Sequence, residues 1–432
     1  MNNSRAVIII ENRDALRVAA ASARISTQQG TALEIFDRSQ GDEKDLKLLN
    51  KVLSSGHKSV IEHQTFSVAF NDVAVLVEQF VIEARLASYT VKSRRYVDFT
   101  QAGYVVPEGM TEAQRAVFER AMAARFEDYQ RLMALVPKED ARFVLPYCLR
   151  SNFFMTVNAR ELIALVCAML KGRGRGFAEI EALGRQLKDQ LDRLYPGVVD
   201  AELSRPGEYA PLSLPTDIHD PAEGVGGAEL LSAPKDDLGL LRSAMEFSGR
   251  LPAGDCRSLV LDARPRELEL LQYVFRVRNI SLACLTHFAR HRIQSSVIPP
   301  VVTALAGGSH VVPATVRDNP EALAIYRKAF EKQAEAAREA VAAGISPENL
   351  SYFAMSGHQL DILLAMNARE LIHFMKLRTC SRAQWEIQGV AGSMLALLKA
   401  HTPSLFGLYG PSCRFGPCPE GRMSCGKPHD RI

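Results

Sequence analysis

Neither sign of charge is in surplus in this chain. Over 432 residues Lys plus Arg number 52 and Asp plus Glu 49, so the net charge of +3 provides no broad field for holding a polyanion. Nucleic-acid polymers are not expected as partners, and any nucleotide must be gripped by local arginines. A membrane span is missing too, because no stretch reaches the ~18 uninterrupted apolar residues of a transmembrane helix. The apolar run at residues 6–10 stops at Glu11, Asn12, Arg13 and Asp14, too short for a signal peptide or an anchor. The expected location is the cytoplasm. Cysteine is too thin for a disulfide scaffold: eight in a chain of this size read as thiols or metal ligands. What remains is ordinary, with 47% hydrophobic and 23% charged residues and no composition that implies long disorder. At ~150 residues per domain the length allows two or three domains.

The chain repeats itself. NARELI stands at residues 158–163 and again at 367–372, an offset of 209, and EARLAS at 83–88 stands where RHRIQS stands at 290–295, an offset of 207. Two matches that agree within a small indel identify a tandem duplication. Each half runs from a strand-like entry through a helix carrying the first motif to a helical hairpin carrying the second, an α+β pattern. Residues 64–70 alternate polar and apolar side chains in the manner of a half-buried strand. A helix opens at Thr111 with the capping box TEAQ and buries Val117, Ala121, Phe126 and Tyr129. Its partner in the second half opens at Asn319 with Pro320 in the first turn, and Gly344 stops it. Residues 206–233 are rich in Pro, Gly, Asp and Glu without apolar period and read as linker or surface loop. The expected organisation is a first domain at 1–200, a linker at 201–234, a second domain at 235–402 and a Cys-rich tail at 403–432.

Arg290, His291 and Arg292 put two guanidinium groups and an imidazole at the end of an apolar helix, suited to anionic oxygens or a flavin ring. A basic triplet also fits a solvated helix end interacting with the macrodipole. Asn367 and Arg369 suit hydrogen bonding to a ligand amide or phosphate, and Asn367 equally suits a helix N-cap.

Taken together these pieces resemble the flavin-dependent thymidylate synthases, divided between the halves. That family carries Arg-His-Arg, a serine after seven residues, x-Arg-Tyr, and later Asn-Ala-Arg, Leu-Arg and Ala-Gln-Trp-Glu. The second half has Arg290 to Arg292, Asn367 to Arg369, Leu377 with Arg378, and Ala383 to Glu386, but Pro300 in place of the serine. The first half replaces the triplet with Glu83, Ala84 and Arg85, yet keeps Ser93, Arg95 and Tyr96. It also has GHKSVIEH, where His57, Ser59, Glu62 and His63 match the family's flavin-contacting segment. Arg142 matches a nucleotide-binding arginine, where the second half has Ser351; Arg378 matches the catalytic arginine, where the first half has Met169.

The resemblance implies two fused synthase-type domains that methylate dUMP to dTMP with methylenetetrahydrofolate, FAD and NADPH, without a cysteine nucleophile. It implies Arg378 as the residue that stabilises uracil as its N3–O4 system gains charge. Ser93, Arg95 and Arg142 would hold the nucleotide, and His57, Ser59, Glu62, Arg290, His291, Arg292, Asn367 and Arg369 the flavin. Arg382 stands where a histidine often sits near the flavin. C5 alkylation of another uracil nucleotide and a degenerate, non-catalytic flavin-binding protein are the rival readings. The expected assembly is a homodimer imitating a tetramer of single domains, each chain supplying one complete set of site residues. Cys380, Cys413, Cys418 and Cys425 suit a tetrahedral structural zinc, with free surface thiols as the alternative. Cys148, Cys167, Cys256 and Cys284 read as buried small hydrophobes.

Overall fold

The computed structural model describes residues 6–9, 14–25, 27–205, 212–249, 256–263 and 265–432. The chain divides into two compact units, each discontinuous: residues 1–218 with 313–356, and residues 219–312 with 357–432. This partition differs from two consecutive domains, since part of the second repeat lies in the first unit.

The first unit contains an antiparallel sheet of β1 (Ala6–Ile9), β2 (Thr65–Ala74), β3 (Ala87–Val91) and β4 (Arg150–Asn158), in the order β1-β2-β4-β3. The alternation in β2 buries Phe66, Val68 and Phe70 and leaves Thr65 and Ser67 exposed, as a sheet with one wet face requires. Phe70 stacks on Phe153 of β4 with ring centroids 4.4 Å apart.

The second unit holds β5 (Ala222–Glu223), β6 (Gly227–Ser232), β7 (Gln272–Ser281), β8 (Gln294–Val297), β9 (Ser309–His310) and β10 (Gln359–Asn367). Its main sheet has the order β6-β7-β10-β8, the same topology strand for strand, and β5 pairs with β9 in a short parallel ladder. The expected linker is thus partly sheet. Residues 206–211 lie outside the described residues, but β6 pairs with β7 as an edge strand. Its hydrogen bonds are backbone bonds, and a half-exposed edge needs no apolar period, which is why the sequence did not betray it.

The duplication reaches down to single dihedrals. Asp72 and Asn279, 207 residues apart, both adopt positive φ, 51° and 49°. Each sits at a bulge, and its N–H is taken by a side chain of the neighbouring strand: Asn152 Oδ1 at 3.0 Å and Asp361 Oδ1 at 2.9 Å. Asp and Asn tolerate this left-handed conformation better than other side chains. Beyond each bulge a buried carboxylate caps the next helix. Glu179 Oε1 accepts from Ala74 N at 3.0 Å, and Glu386 Oε1 accepts from Ser281 N at 2.7 Å.

The helix Glu112–Met133 starts at the Thr111 capping box, with Gln114 returning the bond. The helix Pro320–Ala342 starts at Asn319 and ends before Gly344 at φ +76°. Both lie in the first unit, where they pack antiparallel. Gln114 Nε2 donates to Ala343 O at 2.9 Å, Arg120 pairs with Glu339 at 2.6 Å, and buried Arg125 donates to Ala329 O. Among the described residues no helix is long and apolar enough to cross a membrane.

Candidate functional site

In the second unit Ser281 caps the helix Leu282–Phe288, whose residues are all buried, so the chain leaves it beneath the surface. Arg290 and Arg292 then turn outward while His291 stays 3% exposed. The helix Ala368–Arg378 provides its partners. Asn367 caps that helix by accepting from Glu370 N at 2.8 Å, and Asn158 caps the helix Ala159–Leu170 by accepting from Glu161 N at 2.9 Å. The capping role suggested by the sequence is therefore real in both repeats. Glu370 Oε1 lies 3.1 Å from His291 Nδ1, and Arg378 Nε donates to His291 Nε2 at 3.0 Å. Arg378 Nη2 also donates to His287 O at 3.3 Å. Burial is the main force that lowers the His291 pKa; Glu370 opposes it, and Arg378 and His373 add to it. Arg369 leaves this cluster and pairs with Glu269.

In the first unit two of the expected nucleotide residues meet Glu139, Arg95 at its carboxylate and Arg142 at its backbone carbonyl. Arg95 Nε pairs with Glu139 Oε1 at 2.6 Å, and Arg142 Nε donates to Glu139 O at 3.1 Å. Ser93 turns the loop, its carbonyl accepting from Val97 N at 3.0 Å and its hydroxyl from Arg95 N at 3.3 Å. Between Ser93 and Arg95, Arg94 points into the core and forms a two-pronged pair with Glu78, at 2.8 and 3.0 Å. Ser151 also donates to Glu78. Burial alone would lower the Arg94 guanidinium, but Glu78 outweighs it and the net shift is upward.

His57 and Ser59 line a cavity of about 650 Å³ with Ser22, Thr27, Lys51 and His63. This donor set, with one ammonium, several hydroxyls and two imidazoles, fits an anionic hydrogen-bonding ligand such as a dinucleotide cofactor. Glu62 is engaged elsewhere, by Arg160. That pair repeats 207 to 209 residues later as Glu269 with Arg369, an equivalence the shared offsets could have disclosed. Sequence reasoning also missed Glu370, Glu139 and the Glu78–Arg94 pair, because each is defined by a partner far along the chain.

The zinc expectation is corrected. All four cysteines are described, yet among the described residues no three or more His, Cys, Asp or Glu side chains are gathered to hold a metal. Cys380, Cys413, Cys418 and Cys425 are free thiols. Cys413 Sγ accepts from His429 N at 3.4 Å, and the Ser381 hydroxyl holds the Cys425 thiol below its ordinary pKa. The tail is tied instead by Arg382, which donates to Met423 O and Ser424 O, by Ser412 Oγ donating to Lys376 O, and by Lys376 lying 3.9 Å over the Phe415 ring. Backbone carbonyls and an aromatic face do the work assigned to a metal.

A sheet-and-helix fold made twice, with arginines gathered in each copy, is matched by one family model. The thymidylate synthase complementing protein family matches residues 8–197 and again residues 256–404. The chain belongs to the flavin-dependent thymidylate synthase family. A relative of that name from Geobacter sulfurreducens is 39% identical over 163 residues, 37% of this chain and 70% of the relative. One from Clostridium tetani is 33% identical over 177 residues, covering 37% and 71%. Among solved structures, thymidylate synthase X from Helicobacter pylori with FAD and dUMP is 22% identical at a TM-score of 0.36, covering 47% of this chain and 100% of that one.

Proposed function

We propose that this chain is a flavin-dependent thymidylate synthase, converting dUMP to dTMP with methylenetetrahydrofolate as the carbon donor, FAD as cofactor and NADPH as reductant. The observation that carries the reading is Arg378, a half-buried guanidinium at the end of its helix, held at Nε by His291. A charge that cannot be lost, fixed in a partly dry site, stabilises negative charge developing on N3–O4 of a uracil ring. Arg95 and Arg142 suit the nucleotide phosphate, which for Arg95 would take the place of the Glu139 carboxylate as the acceptor. Arg290 and Arg292, with His57 and Ser59, are the residues that would hold FAD. When bound, FAD supplies the reducing equivalents that make a methyl group of the transferred methylene.

Only the second repeat has the Arg-His-Arg triplet and Arg378, and only the first has Ser93, Arg95 and Arg142. One chain therefore carries one full set of residues. Protein reconstituted with excess FAD and desalted should keep the visible flavin bands at one flavin per chain. It should also bind one dUMP and release dTMP when given methylenetetrahydrofolate and NADPH. No retained flavin absorbance, or no thymidylate from flavin-loaded protein, would overturn the reading; two equivalent sites per chain would overturn the division of labour between repeats. Sedimentation should give a homodimer, four synthase-type repeats in all.

A further inference from the structure

We infer that Glu370 is a positioning residue that fixes the tautomer of His291 and through it aims Arg378. This rests on the proposed reaction for its effect on turnover, but not for its geometry. Glu370 and Arg378 stand on one helix, eight residues and ~12 Å of axial rise apart, and each meets a different nitrogen of a single imidazole. Arg378 has only hydrogen atoms to offer, so Nε2 of His291 must be an acceptor. The ring proton therefore resides on Nδ1, where Glu370 Oε1 at 3.1 Å accepts it. Without that carboxylate the tautomer is free to reverse, and an Nε2 proton would face the Arg378 Nε proton. The guanidinium would then swing away from the direction it now holds.

The environment favours the neutral ring. The ionisable groups facing His291 are Glu370 and His373 on the helix Ala368–Arg378 and Arg378 at its end, with the Phe374 ring 4.9 Å away centroid to centroid. The first repeat is an internal comparison. At the matching offsets Glu161 remains, but Ala84 and Met169 stand for His291 and Arg378. There Glu161 faces no imidazole; the Tyr89 phenol donates to Val81 O and Ala84 O, and it is pushed up by burial first and by the Glu161 charge second. Where the imidazole and the arginine are absent together, the arrangement has no remaining task, as a relay requires.

The test uses full-length holoprotein with 15N-labelled histidine. His291 in the unaltered protein should show the Nδ1–H neutral tautomer, and Glu370→Ala should lower its share in favour of the Nε2–H form, since Arg378 alone is left to favour Nδ1–H. In turnover of dUMP, Glu370→Ala should lower kcat roughly tenfold or more with KM for dUMP little changed, and Glu370→Asp should recover most of it. The acid limb of kcat should move to lower pH in Glu370→Ala, because the carboxylate that steadies the imidazolium is gone. The double variant Glu370→Ala/His291→Ala should be no worse than His291→Ala alone, since the carboxylate acts through the ring. An Nε2–H tautomer in the unaltered protein, an unchanged tautomer in Glu370→Ala, or additive losses in the double variant would overturn the inference. If the holoprotein makes no dTMP at all, the proposed reaction fails, while the tautomer measurement still decides the role of Glu370.

Discussion

Arg378→Ala should reduce dTMP formation roughly 10²- to 10³-fold, the loss found when one preorganised donor to a developing anion is removed, while flavin stays bound. The expected cost is about 3–4 kcal/mol of transition-state stabilisation. It is large because Arg378 is not a surface charge: its Nε is fixed by His291 Nε2 and its Nη2 by His287 O, so it is already aimed before substrate arrives. Arg378→Lys should recover only part of the activity. An ammonium keeps the charge but cannot bond His291 and also present a planar pair of donors. Single-turnover rates with preloaded flavin measure the effect. A loss of less than threefold in Arg378→Ala would remove this residue from the chemistry.

Arg94→Met should destabilise the first unit by about 3–5 kcal/mol, the penalty for leaving one partner of a buried ion pair alone. Glu78, 1% exposed, would keep only the Ser151 hydroxyl. The second repeat shows what else this position accepts. At the matching offsets Leu285, Val301 and Leu360 replace Glu78, Arg94 and Ser151, all apolar, with Leu285 and Leu360 buried. The triple variant Glu78→Leu/Arg94→Val/Ser151→Leu should therefore recover much of the stability lost in Arg94→Met. It should not recover nucleotide binding, because Arg94 anchors the turn between Ser93 and Arg95. Urea unfolding and dUMP titration separate the two effects. An Arg94→Met protein as stable as the parent would remove the stabilising role of the ion pair, and a triple variant with full dUMP affinity would remove its role in nucleotide binding.

Protonation adds a smaller, signed contribution. The folded pKa of His291 lies below its ordinary 6.5, so below about that pH the unfolded chain binds a proton that the folded one refuses. Stability from this residue is complete above 6.5 and declines as pH falls toward the folded pKa.

Local chemistry was legible in the sequence. The Thr111 capping box, the Asn319–Pro320 helix start and the alternation feeding β2 are short-range codes, and the structure follows them. NARELI disclosed the duplication because Asn158 and Asn367 cap equivalent helices and Arg160 and Arg369 pair with equivalent glutamates. Partners across long separations were not legible. Glu370 sits beside Arg369 in the motif, yet its meaning depends on His291, 79 residues upstream. Glu139 reads as an ordinary helix carboxylate until Arg95, 44 residues upstream, is seen to pair with it. The four cysteines misled because spacing along a chain says little about where the sulfurs of an irregular tail come to rest.

The antiparallel pairing of the helices Glu112–Met133 and Pro320–Ala342 within one unit constrains how the protein can be made. During synthesis the first helix leaves the ribosome about 200 residues before its partner, so the first unit cannot close until residues 313–356 have emerged. At ~5–20 residues per second this is an interval of about ten seconds or more, in which the face of Glu112–Met133 that meets Pro320–Ala342 has no cover, although Tyr104 already packs on Phe118 and Phe126. The same long separation that raises the contact order thus also favours premature association between nascent chains. A chain cut between the repeats would leave the face that meets Pro320–Ala342 open for good. Fusion has thus made the second repeat a folding requirement of the first, whatever either contributes to chemistry.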